Sequence, residues 1–359
     1  FTAKLVVSAT LENCAPQETA QFLSVLLSHY QSPHVEDDGA ALTLTDTLCY
    51  LPLKLLTEEQ AERVAAFALA QCHGKTPSLQ AAALQFFFRA SQTLPESHPL
   101  HAALERLRQE ELVLPLPSLR YRYARVCGVP AEQAVLALSG EEVSDILLDN
   151  LKTATPWMIK VVNVELLSRY AACGLGSAMQ IAAHFANLIR VSEAVVVRQR
   201  AGRALLGIAP RLTSDQRNEI AVELSKALES GHYEFSKYIP QYLGAFMLWL
   251  PPAELDEVID YLAELLSHSA DSVAASALDT VGFALVGSEM CIRDSGGLRA
   301  GVLSRLPPAF PGGGSGMGSP SPPSGRTAAE GHGLLPRGGT AGGAVRAGRH
   351  AVLLAPVPR

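Results

Sequence analysis

Between Ser192 and Leu285 the chain writes out a helix-turn-helix unit, writes it again one period later and begins it a third time. The turn positions Leu212-Thr213 and Leu250-Pro251 are 38 residues apart, and so are Asn218-Glu219-Ile220 and Asp256-Glu257-Val258. Leu224 and Leu228 recur as Leu262 and Leu266 at the same interval, and Ile181, Phe185 and Ile189 precede Ile220, Leu224 and Leu228 by 39 positions. In the N-terminal half Leu56-Thr57 and Leu94-Pro95 are again 38 apart. A pair of helices of this length cannot hide an apolar face alone. Units repeated at a fixed period of this size therefore build a core only by stacking on one another.

Taken in order, Phe22, Leu23, Leu26, Leu27 and Tyr30 share one face of a helix expected from Pro16 to Ser32. A partner runs from about Leu42 to Leu55, bent or ended by Pro52. Thr57 with Gln60 three residues on is a capping box that opens a helix on Ala61, Val64, Ala65 and Ala68. Helices follow over Ser78–Thr93 and His98–Glu111. From Leu112 to Leu151 the pattern loosens around Pro115, Pro117 and Pro130, with a Ser139/Glu142 capping box opening a short helix. Thr155-Pro156 reads as an N-cap followed by proline at the first helical position, and Gly174 as the end of that helix. Pro240 falls inside a helix expected over Glu234–Leu250 and kinks it, a habit of first helices in HEAT repeats. The last helix, Ser272–Leu285, carries Val273, Ala277, Leu278, Val281 and Leu285 as an apolar face that a further repeat would cover.

The expected fold is all-α: a right-handed α-solenoid of about six HEAT-like helix pairs over residues 1–285, irregular around 112–151, followed by a disordered C-terminal tail. The chain opens on Phe1, inside what reads as a helix whose start is missing. Val286–Ser295 (VGSEMCIRDS) resembles a translated sequencing adapter. Residues 296–359 hold 16 Gly and 9 Pro with seven Arg, no Lys and one acid, Glu330, a composition that packs no core and reads as a non-native tail, with a natural Gly/Pro/Arg linker as the alternative. That tail carries a net +6, so the total of −6 leaves −12 on residues 1–295. An acidic body argues against a general nucleic-acid binder. Five of the six cysteines are widely spaced singles in apolar contexts, the sixth lies in the adapter-like stretch, and none forms a CxxC pair; they read as reduced thiols. With no run long enough for a membrane span, a cytoplasmic protein is the expectation.

Thr155-Pro156-Trp157, the run from Val195 to Gly202, the run from Asp215 to Leu224 and that from Tyr233 to Pro240 resemble the helical-repeat region of large multidomain bacterial proteins. The catalytic part of those proteins is a cytidyltransferase-related, nucleotidyltransferase-like domain. The resemblance covers roughly Leu151–Leu285 and implies a supporting role, because no HxGH-type signature and no Gly-rich phosphate loop precedes the tail.

Arg198, Arg200 and Arg203, with Arg190, Arg211 and Arg217 nearby, are candidate grips for phosphate or carboxylate, since a guanidinium presents a planar fork to such groups. The plainer reading is a solvated face; Arg200 and Arg203 share a side and Arg198 points elsewhere. Arg120, Tyr121, Arg122, Tyr123 and Arg125 interleave bases and aromatics as single-strand binders do, but an amphipathic helix with inward tyrosines explains the string better. Glu219 and Glu223, then Asp256 and Asp260, are candidate contacts on the second helices for a basic partner, against the default of a solvated acidic face. His98, His101 and Cys72-His73 are too loosely spaced for zinc. No cofactor and no catalytic constellation is expected. The reading is a non-catalytic scaffold for a protein or an adjacent domain of the same parent chain, with support of a missing nucleotidyltransferase domain as the alternative.

Overall fold

The computed structural model describes residues 14–30, 32, 35, 37–229 and 236–291, with side chains placed up to Val286. All of them belong to one compact unit. The readings placed on residues 1–13 and on the tail beyond Cys291 lie outside the described residues. The described part is all-helical: fifteen α-helices and three short 3-10 turns, with no strand among the described residues.

The helices are α1 (Pro16–Leu27), α2 (Asp38–Leu48), α3 (Glu58–Cys72), α4 (Pro77–Thr93), α5 (Leu100–Arg108), α6 (Pro117–Val126), α7 (Ala131–Leu136) and α8 (Gly140–Leu151). They continue as α9 (Trp157–Ala172), α10 (Ala178–Val191), α11 (Val195–Ile208), α12 (Ser214–Leu228), α13 (Ile239–Met247), α14 (Pro252–Leu265) and α15 (Asp271–Cys291). They pack in two files. One runs α2, α4, α6, α9, α11, α13, α15, each against the next; the other runs α3 on α5 and then α8, α10, α12, α14. Neighbouring members of the two files also touch, as α3 does α4, α10 does α11 and α12 does α13.

The repeat positions account for this order. Ile181, Phe185 and Ile189 of α10, Ile220, Leu224 and Leu228 of α12, and Val258 and Leu262 of α14 are all buried. Each occupies the same stripe of successive helices in one file, so one apolar face is met by the next. The buried side chains form two clusters. The N-terminal one ends on Leu119 and Val126 of α6 and Met158 and Ile159 of α9. The C-terminal one begins with Tyr121 of α6 and takes in Val162, Val164, Leu166 and Leu167 of α9. Helices α6 and α9 thus belong to both, and the short α7 and α8 occupy the irregular stretch between them.

Local chemistry fixes the helix ends. Thr57 and Gln60, and Ser139 and Glu142, form the expected capping boxes, and Thr213 with Gln216 adds another. Helix α9 ends in a Schellman motif: Gly174 sits at φ 74°, its N–H donates to the Ala171 carbonyl, and the Leu175 N–H donates to the Tyr170 carbonyl.

Elsewhere the ends differ from expectation. Pro156 is itself the N-cap, extended at ψ 141°, and Trp157 opens the helix without a side-chain cap from Thr155. Pro240 stands in the first turn of α13, where a missing donor costs nothing, so the expected kink is a helix start; residues 230–235 before it lie outside the described residues. Helix α15 runs past Leu285 to Cys291, into the adapter-like stretch. Its Val273, Ala277 and Val281 are buried in the stack, whereas Leu278, Phe283 and Val286 are exposed.

Helices α13 and α15 cross closely. A Cβ on Gly244 would lie 2.6 Å from the Thr280 carbonyl oxygen and 2.9 Å from the Ala284 nitrogen, so only glycine lets the two backbones approach this closely. Gly244→Ala should force the helices apart and lower unfolding free energy by about 1–3 kcal/mol, read as an earlier urea midpoint of the full chain. Gly207→Ala, in helix α11 with nothing within 4 Å of its Cβ position, should be neutral or stabilising by up to about 1 kcal/mol.

Candidate functional site

Four helices of the first file, α4, α6, α9 and α11, enclose a cavity of about 330 Å³. Helical spacing places the lining. Gln85 and Phe88 are three apart on α4; Val161, Val164, Glu165, Ser168 and Arg169 follow the i, i+3, i+4, i+7, i+8 stripe of α9; Arg200, Arg203 and Ala204 share one side of α11. Arg122 reaches in from α6.

Arg122 is the unusual member, because its side chain is only 2% exposed. It lies on the apolar stripe of α6, three residues after Leu119 and four before Val126, both buried. Its Nη2 donates to Glu165 Oε2 at 2.7 Å, and its guanidinium covers the Phe88 ring at 4.1 Å. The Tyr121 hydroxyl donates to the other oxygen, Glu165 Oε1, at 3.0 Å. Burial opposes charge on Glu165, but the Arg122 charge and the hydrogen bonds from Arg122 and Tyr121 outweigh it and hold the carboxyl below its ordinary range. Burial, with the neighbouring carboxylate second, pushes the Tyr121 hydroxyl well above its own. One carboxylate does not satisfy the whole guanidinium: Arg122 Nε and Nη1 and the Gln85 Oε1 are buried without a hydrogen-bond partner.

Other arginines of the chain are engaged. Arg89 donates to the Cys49 and Leu51 carbonyls at the end of α2, Arg125 to the Val129 carbonyl, Arg217 to the Trp249 carbonyl, and Arg190 pairs with Glu223 at 2.5 Å. At the cavity Arg169, Arg200 and Arg203 are exposed and no ion pair engages them among the described residues. Four guanidinium groups therefore face one carboxylate, on a chain whose body is acidic. That imbalance is what an anion-binding pocket requires.

The predicted residues divide. Arg200 and Arg203 line this cavity together. Arg198 turns inward, 2% exposed, where its Nε donates to the Ser192 carbonyl and its guanidinium lies 5.5 Å from the Tyr238 ring centroid. Glu219 and Glu223 are on α12 and Asp256 and Asp260 on α14, in the other file, so none of them lines the cavity with Arg200 and Arg203, and Glu223 pairs with Arg190. Glu219 and Asp260 are exposed. His73 meets Glu110 at 2.5 Å, and among the described residues no three of His, Cys, Asp or Glu come together as a metal site. Arg122 enters the sequence reading only as part of the basic and aromatic string of α6, set aside there as one side of an amphipathic helix. The tyrosine-inward reading of α6 holds for Tyr121, but the same stripe passes through Arg122, and its position between Leu119 and Val126 was the available signal.

On the second file a groove of about 480 Å³ runs between α8 and α10. Leu148 and Leu151 are exposed along it, and His184 lies in its floor with Nε2 unpartnered. Burial alone pushes the His184 imidazole down to about 4.

No family model matches the chain, and no curated protein matches it. Among solved structures it is similar to an engineered protein determined by the Northeast Structural Genomics Consortium, at 17% identity over 78% of each chain, with a TM-score of 0.32 that is too low to assign a shared fold.

Two outcomes follow from this geometry. Glu165→Ala leaves the Arg122 charge buried without its partner and should cost about 3 kcal/mol by chemical denaturation, whereas the paired change Arg122→Met with Glu165→Leu should cost less. His184 binds a proton more readily unfolded than folded, since its folded value is the depressed one. Stability should therefore fall as pH drops from 6.5 towards 4, by on the order of 1 kcal/mol per unit, and His184→Leu should flatten that slope between about pH 6.5 and 5.

Proposed function

We propose that the chain is a right-handed α-solenoid of HEAT-like pairs and works as a non-catalytic binding scaffold for a protein or an adjacent domain. The solenoid reading is supported by the two files, in which each helix packs on members near it in sequence. The single observation that carries the binding role is the cavity where Arg122, Arg169, Arg200 and Arg203 outnumber Glu165. Unpaired like charges gathered on one face add nothing to stability, so their use is in recognition. Glu219, Glu223, Asp256 and Asp260 on the other file are further proposed contacts, for a basic segment.

Charge reversal separates the two faces. A tagged full chain carrying Arg200→Glu with Arg203→Glu should lose a partner that the unaltered chain retains at low salt, by tenfold or more in Kd, with unchanged helical circular dichroism. Glu219→Lys with Asp260→Lys serves as the reciprocal test of the acidic face. A partner held equally by both double variants, or hydrolytic or transfer activity resident in this chain, would overturn the reading.

A further inference from the structure

The cavity's charge, depth and walls point to its ligand class: the geometry points to a phosphorylated segment of a protein partner, its phosphate monoester held among Arg122, Arg169, Arg200 and Arg203. This rests on the scaffold reading above and specifies what the scaffold takes.

Charge comes first. After Glu165 has answered one guanidinium, three positive charges remain, more than a single carboxylate side chain balances and well suited to a phosphate monoester near −2 with three acceptor oxygens. Donors are available at two depths. Arg169, Arg200 and Arg203 are exposed at the rim, on two different helices, and no ion pair engages them among the described residues, while Arg122 lies 2% exposed at the cavity's inner side with Nε and Nη1 lacking acceptors there. Shape comes next. A volume of about 330 Å³ exceeds what a bare anion needs, and Phe88, Val161, Val164 and Ala204 supply apolar wall for the side chain that carries the phosphate. The cationic residues are gathered at one cavity and not strung out in a stripe. Together with a body of net −12 over residues 1–295, that arrangement favours one or two phosphates on a peptide over the polyphosphate track of a nucleic acid.

The test uses the full chain and three probes: an acetylated, amidated peptide Ala-Ala-phosphoserine-Ala-Ala, the same peptide with plain serine, and inorganic phosphate as competitor. Calorimetry at low ionic strength should show the phosphopeptide binding, inorganic phosphate displacing it and the serine peptide failing to bind. Arg200→Ala and Arg203→Ala lie on the exposed rim and preserve the fold, which circular dichroism checks; each should weaken binding by tenfold or more. Binding should also weaken as pH falls through the second phosphate ionisation near pH 6. Equal affinity for both peptides, phosphopeptide binding untouched by the two alanine variants, or single-stranded RNA held through those arginines more tightly than the phosphopeptide would each overturn the assignment. A protein partner captured through Arg200 and Arg203 with no phosphate on it would sink this inference and leave the scaffold reading standing. Loss of all protein binding would sink both.

Discussion

Helices of the two files carry apolar faces that are covered by neighbours beyond their own pair, and the structure depends on that. Leu224 of α12 is fully buried because α10 and α14 lie on either side of it in the same file, with α13 across from it. Among the described residues coverage passes from neighbour to neighbour along the files. On the solenoid reading proposed above, stability is approximately a sum of unit and interface terms. A substitution at one close crossing, such as Gly244 against Thr280, therefore bears on its own junction more than on the far end.

Against this apolar logic Arg122 stands out. A guanidinium taken from water into a site between Phe88 and Glu165 carries a desolvation cost of several kcal/mol, which one ion pair and one ring contact offset only in part. A well-packed Met or Leu at the same point of the α6 stripe would serve stability as well or better. The binding role proposed for the cavity would account for the charge at that position, as for Arg169, Arg200 and Arg203 at its mouth.

Much of the fold was legible because it is written in periodic terms. The recurring leucines and isoleucines, Thr57 with Gln60, Ser139 with Glu142, and Gly174 each carry a short-range physical instruction that the structure obeys. What failed was governed by longer range or by position within a turn. Whether Pro240 kinks a helix or starts one depends on where the preceding turn ends, and Pro156 capped its helix instead of entering it. The site was half legible: the three-residue spacing of Arg200 and Arg203 set them on one side of α11, but the contributions of Arg169 and Arg122 needed the stacking of three helices. Arg198, in the same cationic run, turned inward to the Ser192 carbonyl, a choice that depends on the start of its own helix.

The two apolar clusters meet along α6 and α9, and the arginine cavity straddles that seam, with Phe88 belonging to the N-terminal packing and Ala204 to the C-terminal. On the scaffold reading proposed above, a guest lodged between α4 and α11 would touch helices of both clusters at once, so its binding would be linked thermodynamically to how the two clusters pack on each other.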